Sequence, residues 1–393
     1  MIDRRMFPLM FAVFINIAGF SLILPLLPFY GPLFGAGPFE VALLFAAYSF
    51  GNVFGEIYWG RQSDKWGRRN VLVLTTAAAA VTYVAFAFAP VLWLAIAIRV
   101  VSGFFGGTLS VAQGFLADAS PPERRAKAMG MFGASFSVGF AFGPVIGGLF
   151  AGAGTSLADF RLPILIAAGF CALTAIWSLL VLRDVKPPAG KARPLPKYSE
   201  GINYVMGSPL LLRLFVISFL GIAAFASMEA IYGLWSEANF GWTARDLGFA
   251  FLAIGTGGLV VQLFLLHPLV TRFGEGRVIA AGLAVLAASM LFQPILRDPW
   301  VAVALMGMLM AGHSLAFPTA GALTSRTAPV EQQGSIMGLM MASNAVSRII
   351  APPLFGLIYE YGRDAPWYSG AVMIALALPI ALRLPQLTRK GAV

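Results

Sequence analysis

The sequence has little charge and almost no cysteine. Charged residues make up 11% of the 393 residues, whereas an ordinary soluble domain carries about a quarter. A soluble fold of this length would therefore have too few polar side chains to cover its surface. The single cysteine, Cys171, lies inside an apolar segment. This excludes a disulfide framework and a cysteine-based metal site.

Features of enzymes are missing as well. No glycine-rich phosphate loop, metal-ligand cluster or nucleophile elbow occurs in a polar context, and no soluble domain is present to hold one. We therefore expect no catalytic residues, no metal and no cofactor, and an ATP-driven pump is excluded on the same ground. Any transport by the chain must draw its energy from a gradient.

What the sequence has instead is long apolar blocks. Hydrophobic residues make up 59% of the chain, and the mean hydropathy is +0.82. A helix needs about 20 apolar residues to cross a bilayer. The sequence therefore predicts an all-α membrane protein with twelve transmembrane helices. The predicted spans fall at 7–30, 39–60, 71–89, 91–117, 128–151, 162–182, 210–235, 246–267, 277–295, 299–320, 333–358 and 366–385.

One long polar segment divides the chain near its middle. We predict a six-helix bundle over 1–182, a cytoplasmic linker over 183–208 and a second, pseudo-symmetric six-helix bundle over 209–393. An internal repeat supports this division, because residues 118–130 align without a gap on 326–338, and the same offset places Pro144 on Pro352. Parallel six-helix halves with a substrate site between them are a transporter design.

Lysine and arginine lie mainly in loops that would share one side of the membrane. The net charge of +10 is spread over these short loops, which argues against a nucleic-acid surface. Outside the spans, only Arg161, Arg245, Arg297 and Arg363 fall on the opposite side. The positive-inside rule then predicts that both termini are cytoplasmic in a multi-pass protein of a bacterial-type inner membrane.

Four motifs occur in order along the first half. The loop after span 2 reads GRQSDKWGRR from Gly60 to Arg69, and span 1 reads LPLLP from Leu24 to Pro28. Span 4 carries Arg99, Gly103, Gly106 and Gly107, and span 5 carries Gly139, Gly143, Pro144, Gly147 and Gly148. In these residues the chain resembles the major facilitator superfamily, in particular its twelve-helix drug/proton antiporter branch, which includes the tetracycline exporters. The resemblance covers essentially the whole chain and implies alternating access; we expect a monomer.

The loop motif predicts a conformational latch made of Gly60, Asp64, Gly67, Arg68 and Asp118. Asp64 falls at a helix end, where a carboxylate gains from facing the N-terminus of a helix in the other half. Arg68 is placed to pair with Asp118 at the end of span 4. The alternative is a set of charges that only fixes topology. The span 5 glycines predict close helix packing, and the resemblance links that motif to antiport.

Ionisable residues inside the spans are the candidates for mechanism, because a charge at mid-bilayer costs several kcal/mol unless it is paired or hydrated. Glu229 in span 7 suits a proton carrier that is protonated when it faces one side and ionised when it faces the other. The alternative is a structural hydrogen bond. Arg348 in span 11 needs a counter-ion, which is either Glu229 or a carboxylate-bearing substrate.

Arg99, Glu56 and His313 complete the candidates for proton coupling. Arg99 matches a family residue implicated in proton transfer, and its alternative role is an anchor to backbone carbonyls of span 1. Glu56 lies one turn before Gly60, so it could instead reach the membrane interface. His313 titrates near neutrality in water, but a lone histidine in a helix is also a common packing residue.

One position departs from the resembled family. The tetracycline exporters carry an acidic residue in span 1 ahead of the two prolines, where this chain has Asn16. Proton coupling therefore rests on Glu229 or Glu56, or is absent. The same departure argues against tetracycline itself as the substrate.

A central cavity is predicted between spans 1, 4, 7 and 10. A mainly apolar pocket with few polar groups suits small amphipathic compounds. We therefore predict a proton-coupled exporter of such compounds. The alternatives are an uncoupled facilitator or symporter of a metabolite or organic anion, a lipid or siderophore exporter, and a sensor without transport. The residues predicted to line the cavity are Asn16, Phe20, Gln113, Phe136, Glu229, Tyr232, Trp235, Gln262, His313, Phe317, Asn344 and Arg348.

Overall fold

The structure, a computed structural model, describes residues 7–119, 125–182, 198–329 and 332–384. Within these ranges the chain is helical and has no β-strand, and twelve helices are long and apolar enough to cross a membrane. The predicted fold class is therefore confirmed. Residues 183–197 of the predicted linker lie outside the described ranges, whereas a helix over Tyr198–Gly207 occupies most of the rest.

The spans are numbered 1 to 12 in chain order. Spans 1 to 6 comprise Phe7–Leu22 continued by Leu27–Tyr30 and Gly31–Phe34, Pro38–Trp66, Arg68–Ala87, Leu92–Gly106 continued by Thr108–Ala119, Arg125–Phe150, and Arg161–Val181. Spans 7 to 12 comprise Pro209–Phe240, Ala244–Val260 continued by Val261–Leu265 and Leu266–Phe273, Glu275–Phe292, Pro299–Thr327, Gln333–Tyr361, and Ala365–Leu382. Gly67 and Gly274, with φ of 93° and 82°, each make a one-residue turn between consecutive spans.

The chain divides into two compact units. Unit 1 contains Met1–Ala192 and Ser236–Leu252, and unit 2 contains Arg193–Trp235 and Ala253–Val393. The segment Ser236–Leu252 packs in unit 1 against span 5. A Cβ on Gly148 would meet the carbonyl of Ala244, and one on Gly248 would meet the carbonyl of Pro144. The division at 182 and 209 stays a prediction.

Within unit 1, span 2 packs along span 4 through small residues. A Cβ on Gly55 of span 2 would overlap the carbonyl of Phe104, and one on Gly103 of span 4 would overlap the carbonyl of Tyr48. The two backbones therefore touch directly, as small residues permit in membrane helices. This contact places the polar side chains of span 2 beside the middle of span 4.

Span 5 meets span 1 in the same way. At Gly139, Gly143 and Gly147, spaced four residues apart, a Cβ would meet backbone oxygens of span 1. Ser21 of span 1 also donates a hydrogen bond to the Gly139 carbonyl at 3.1 Å. The close packing predicted for this glycine motif is confirmed. Pro144 lies inside the span 5 helix without interrupting it.

Within unit 2, span 9 packs along spans 10 and 12. Gly282 of span 9 and Gly312 of span 10 face each other, and a Cβ on either would meet the other's carbonyl. The helix Tyr198–Gly207 packs on span 11. Its Val205 joins a buried apolar cluster with Leu211, Ala328 and Ile336.

Candidate functional site

Spans 7 and 11 of unit 2 bring two opposite charges together. The Glu229 Oε2 atom lies 4.0 Å from the Arg348 Nη1 atom. The Glu229 side chain is nearly buried, with 10% of its surface exposed, whereas 42% of the Arg348 side chain is exposed. Because 4.0 Å is too long for a hydrogen bond, the two charges attract each other without a directed bond that would hold them together.

The register between these two spans is set by a neighbouring serine. The Ser347 hydroxyl of span 11 donates a hydrogen bond of 3.0 Å to the Phe219 carbonyl of span 7. Its neighbour Arg348 is thereby held beside span 7. Asn344 lies one turn before Arg348 on the same helix face. Its Oδ1 atom is buried and has no hydrogen-bond partner among the described residues.

His313 of span 10 packs against two aromatic rings. The Phe225 ring centroid is 4.2 Å from the imidazole centroid, and the Phe317 ring centroid is 4.5 Å from it. The His313 Nε2 atom is buried and finds no hydrogen-bond partner in the described chain. Phe225, which contacts His313, lies one turn before Glu229 on span 7, so His313 is near the Glu229–Arg348 pair. Gly221 makes room for this group, because a Cβ there would overlap the Phe317 ring.

The other predicted cavity residues of unit 2 are Tyr232, Trp235 and Gln262. Tyr232 and Trp235 are fully buried. The Trp235 indole donates a hydrogen bond of 2.8 Å to Asp364, and its ring centroid is 5.5 Å from that of Trp367. This conformation therefore gives a ligand no access to either residue. Gln262 is exposed within the π-helical turn of span 8.

Arg99 of span 4 is a buried charge held by backbone and aromatic rings. Its side chain is almost fully buried, and its Nε donates a hydrogen bond of 3.1 Å to the Leu44 carbonyl. The guanidinium lies 4.7 Å from the Tyr48 ring centroid. It forms no ion pair with any carboxylate in the described ranges. The predicted backbone anchor is present, but its carbonyl belongs to span 2 and not to span 1, because span 2 packs directly along span 4.

Glu56 of span 2 binds the backbone at a break in span 4. The helix ends at Gly106 and starts again at Thr108, which leaves the first N–H groups of the second segment without helical partners. The Glu56 carboxylate accepts a hydrogen bond of 2.9 Å from the Ser110 N–H, and the Leu109 N–H bonds to it as well. Glu56 therefore acts as a helix cap supplied from a neighbouring span.

Trp59 satisfies the other side of the same break. Its indole N–H donates a hydrogen bond of 3.0 Å to the Phe104 carbonyl, one of the carbonyls left free where the first segment ends. The sequence analysis missed this residue. Its signal is positional, since Trp59 lies three residues after Glu56 and thus on the same helix face.

The remaining predicted cavity residues belong to unit 1. Asn16 accepts a hydrogen bond of 3.3 Å from the Thr108 hydroxyl, beside a small cavity at the start of the second segment of span 4. Phe20, Gln113 and Phe136 are partly buried in the same unit. Asn16 is therefore a further polar contact at the break in span 4.

The predicted latch residues meet at one end of unit 1. The Arg68 Nε lies 2.9 Å from Asp118 Oδ2, and its Nη2 lies 2.6 Å from Asp64 Oδ1. The predicted Arg68–Asp118 pair is therefore confirmed as a contact. The Arg68 side chain is 11% exposed and Asp118 is 21% exposed, whereas Asp64 is 57% exposed. A Cβ on Gly60 would be in ordinary contact with the side chain of Ser110, the residue capped by Glu56.

Unit 2 has an equivalent pair with reversed charges. Arg326 occupies the position of Asp118 in the internal repeat, and Glu275 follows Gly274 as Arg68 follows Gly67. Arg326 Nη1 lies 2.7 Å from Glu275 Oε1. The internal repeat of residues 118–130 and 326–338 predicts that Asp118 and Arg326 are equivalent, but it does not predict that both pairs form with reversed charges.

Comparisons with known proteins agree with this architecture. The model of the Major Facilitator Superfamily matches residues 9–265 and 217–392. The class D tetracycline resistance protein of Salmonella ordonez is 29% identical over 374 residues, covering 93% of each chain. The quinolone resistance protein NorA of Staphylococcus aureus (strain COL) is 26% identical, covering 95% of each chain. The crystal structure of the human organic anion transporter MFSD10 has a similar fold, with a TM-score of 0.71, 20% identity, and coverage of 96% of this chain and 99% of that one.

Proposed function

Because the chain belongs to the Major Facilitator Superfamily, we propose that it exports small amphipathic compounds, including drugs, in exchange for protons by alternating access. The chain is a membrane transporter and not an enzyme. Support for drug export comes from relatives named for tetracycline and quinolone resistance that align over nearly the whole chain. Support for antiport comes from the glycine motif of span 5, which the resemblance to drug/proton antiporters links to exchange; in the structure this motif packs span 5 on span 1.

Glu229 is the proposed proton carrier, and its weak pairing is the observation that carries the proposal. It is nearly buried, and its nearest opposite charge, Arg348, lies at 4.0 Å. A carboxylate with such a partner can exchange the partner for a proton. The coupling residue must be able to lose its contacts during the cycle, which the backbone-bound Glu56 and Arg99 of unit 1 are less free to do. His313 lies beside this site and is the second candidate for the proton carrier.

The proposal also specifies the location and orientation of the chain in the membrane and the residues of a conformational latch. We place the chain as a monomer in the inner membrane of a bacterial-type cell, with both termini in the cytoplasm, on the distribution of lysine and arginine. Arg68, with its carboxylate partners Asp64 and Asp118, is the proposed conformational latch. Its three-way contact ties the ends of spans 2, 3 and 4 together.

Proton movement in proteoliposomes tests the coupling role of Glu229. Purified protein is reconstituted with a pH-sensitive dye in the lumen, and a panel of neutral, cationic and anionic amphipathic compounds is added to wild type and Glu229→Gln. We expect substrate-dependent proton flux in the wild type and its loss in Glu229→Gln. Glu360→Gln, at an exposed glutamate near the end of span 11, is the matched control and should keep the flux. Unchanged flux in Glu229→Gln would return that residue to a structural role.

The second candidate function is symport of an organic anion, and the exposure of Arg348 favours it. A substrate carboxylate that displaces Glu229 from Arg348 would leave Glu229 to bind a proton, so anion and proton would move together. The same experiment separates the two functions. Antiport moves protons against the direction of the substrate, and symport moves them in the same direction.

A further inference from the structure

The negative charge of Glu229 lies beside the positive charge of Arg348, so a ligand that approaches one charge also approaches the other. Arg348 keeps its positive charge at any physiological pH, and it lies 4.0 Å from the Glu229 carboxylate. A ligand cation drawn to Glu229 would therefore also come within a few ångströms of Arg348. The repulsion from Arg348 thus opposes the attraction of the cation to Glu229, while the cost of removing the cation from water remains.

An aromatic surface lies beside these charges. Phe225 is one turn before Glu229 on span 7, and Phe317 is one turn after His313 on span 10. The two phenyl rings pack against the imidazole at centroid distances of 4.2 and 4.5 Å. All three side chains are only partly buried. Planar aromatic groups of a ligand therefore have a surface of rings to stack on.

We propose that this site selects aromatic zwitterions, compounds with a carboxylate and a basic nitrogen but no net charge, and rejects permanent cations of the same size. The inference rests on the proposed function, because it takes Glu229 and Arg348 as part of the substrate path. A zwitterion can insert its two charges between the pair. Its carboxylate then meets the half-exposed guanidinium of Arg348, and its ammonium group meets Glu229. Every charge keeps an opposite partner, which neither a cation nor an anion alone achieves.

Two dyes that differ by one methyl ester test this selectivity. Rhodamine 110 is a zwitterion at neutral pH, and its methyl ester, rhodamine 123, is a permanent cation. Binding to the purified full-length protein in detergent is measured by fluorescence anisotropy without any gradient. We expect rhodamine 110 to bind about tenfold more tightly or better. Equal binding, tighter binding of the ester, or no binding of either dye would overturn the proposal.

Variants of Arg348 test whether this residue causes the preference for the zwitterion. Arg348→Gln should strengthen binding of the ester and abolish or invert the preference, whereas Arg348→Lys keeps the charge and should keep the preference. Arg277→Gln removes an exposed arginine at the start of span 9 and should change neither affinity. A preference that survives Arg348→Gln would overturn the role of Arg348. If Arg348→Gln does not fold, the wild type and Arg348→Lys still decide the outcome.

The outcomes for binding and for coupling are independent. Selective binding with no proton flux would refute coupled export and leave the selectivity in place. Proton flux driven equally by both dyes would refute the selectivity and leave coupled export in place.

Discussion

Unit 1 and unit 2 each hold charged or polar side chains in the apolar interior, but they use them differently. In unit 1, Arg99 and Glu56 bind backbone groups of a neighbouring span at 3.1 and 2.9 Å. In unit 2, Glu229 and Arg348 are 4.0 Å apart, and His313 has a buried nitrogen with no partner in the described residues. Glu56 and the Arg99 Nε therefore hold helices together, although the Arg99 Nη1 is also buried without a partner among the described residues. We interpret the loosely paired charges of unit 2 as those open to a ligand or a proton.

The break in span 4 explains this difference. It leaves N–H and carbonyl groups without helical partners, and Glu56 and Trp59 of span 2 bind them. Span 10, the counterpart of span 4 in the internal repeat, runs without a break over Pro299–Thr327. Its internal Pro318 leaves one carbonyl, that of Ser314, without a helical N–H partner, whereas the break in span 4 leaves several backbone groups to be satisfied. A polar residue such as His313 can then remain weakly bound.

The largest expected effect is a loss of stability when the ion pairs of Arg68 at the helix ends are broken. Arg68→Asp would place a third carboxylate beside Asp64 and Asp118, in a site where the arginine is 11% exposed. We expect a loss of about 3 kcal/mol or more in unfolding free energy, measured as a lower Tm in detergent. The double variant Arg68→Asp/Asp118→Arg should recover most of it, because unit 2 carries the reversed pair of Glu275 and Arg326.

Two results would contradict this prediction. Arg61→Asp, at an exposed arginine on the same stretch of span 2, is the control and should leave the Tm within about a degree of wild type. An equal loss of stability in Arg61→Asp would show that stability depends on the net charge of this region and not on the Arg68–Asp118 ion pair. A double variant as unstable as Arg68→Asp would show that the two units are not equivalent at this position.

Much of the fold could be predicted from the sequence because apolar blocks, motif glycines and the internal repeat are local signals. The Arg68–Asp118 contact was predictable for the same reason, since both residues lie at span ends that the repeat aligns. The partners of Glu56 and Arg99 were not predictable. They are backbone groups of distant spans, and which groups they meet depends on how spans 2 and 4 are rotated about their axes. The burial of Trp235 follows likewise from its contact with Asp364 on a distant loop.

Glu56 and Glu229 provide the sharpest test of the comparison. Glu56→Ala leaves two backbone N–H groups without a partner, and we expect it to cost about 2 to 4 kcal/mol in unfolding free energy. Glu229→Ala loses only a weak ion pair to a half-exposed arginine and should cost less than about 1 kcal/mol. Proton flux should show the reverse order at a temperature where both variants are folded. A lower Tm in Glu229→Ala than in Glu56→Ala would contradict the assignment of structural charges to unit 1.

Two of the tryptophans that donate hydrogen bonds across spans, Trp59 and Trp235, give a smaller effect. Trp59→Phe keeps the aromatic packing and removes the only indole donor to the Phe104 carbonyl among the described residues. Loss of one such hydrogen bond should cost about 1 kcal/mol. In Trp235→Phe, Asp364 keeps its ion pair with Arg297 at 2.6 Å, so the cost should be smaller still. Thermal unfolding in detergent measures both. A larger loss in Trp235→Phe would mean that the hydrogen bond to Asp364 contributes more stability than the bond at the span 4 break, and that unit 2 also depends on a committed polar contact.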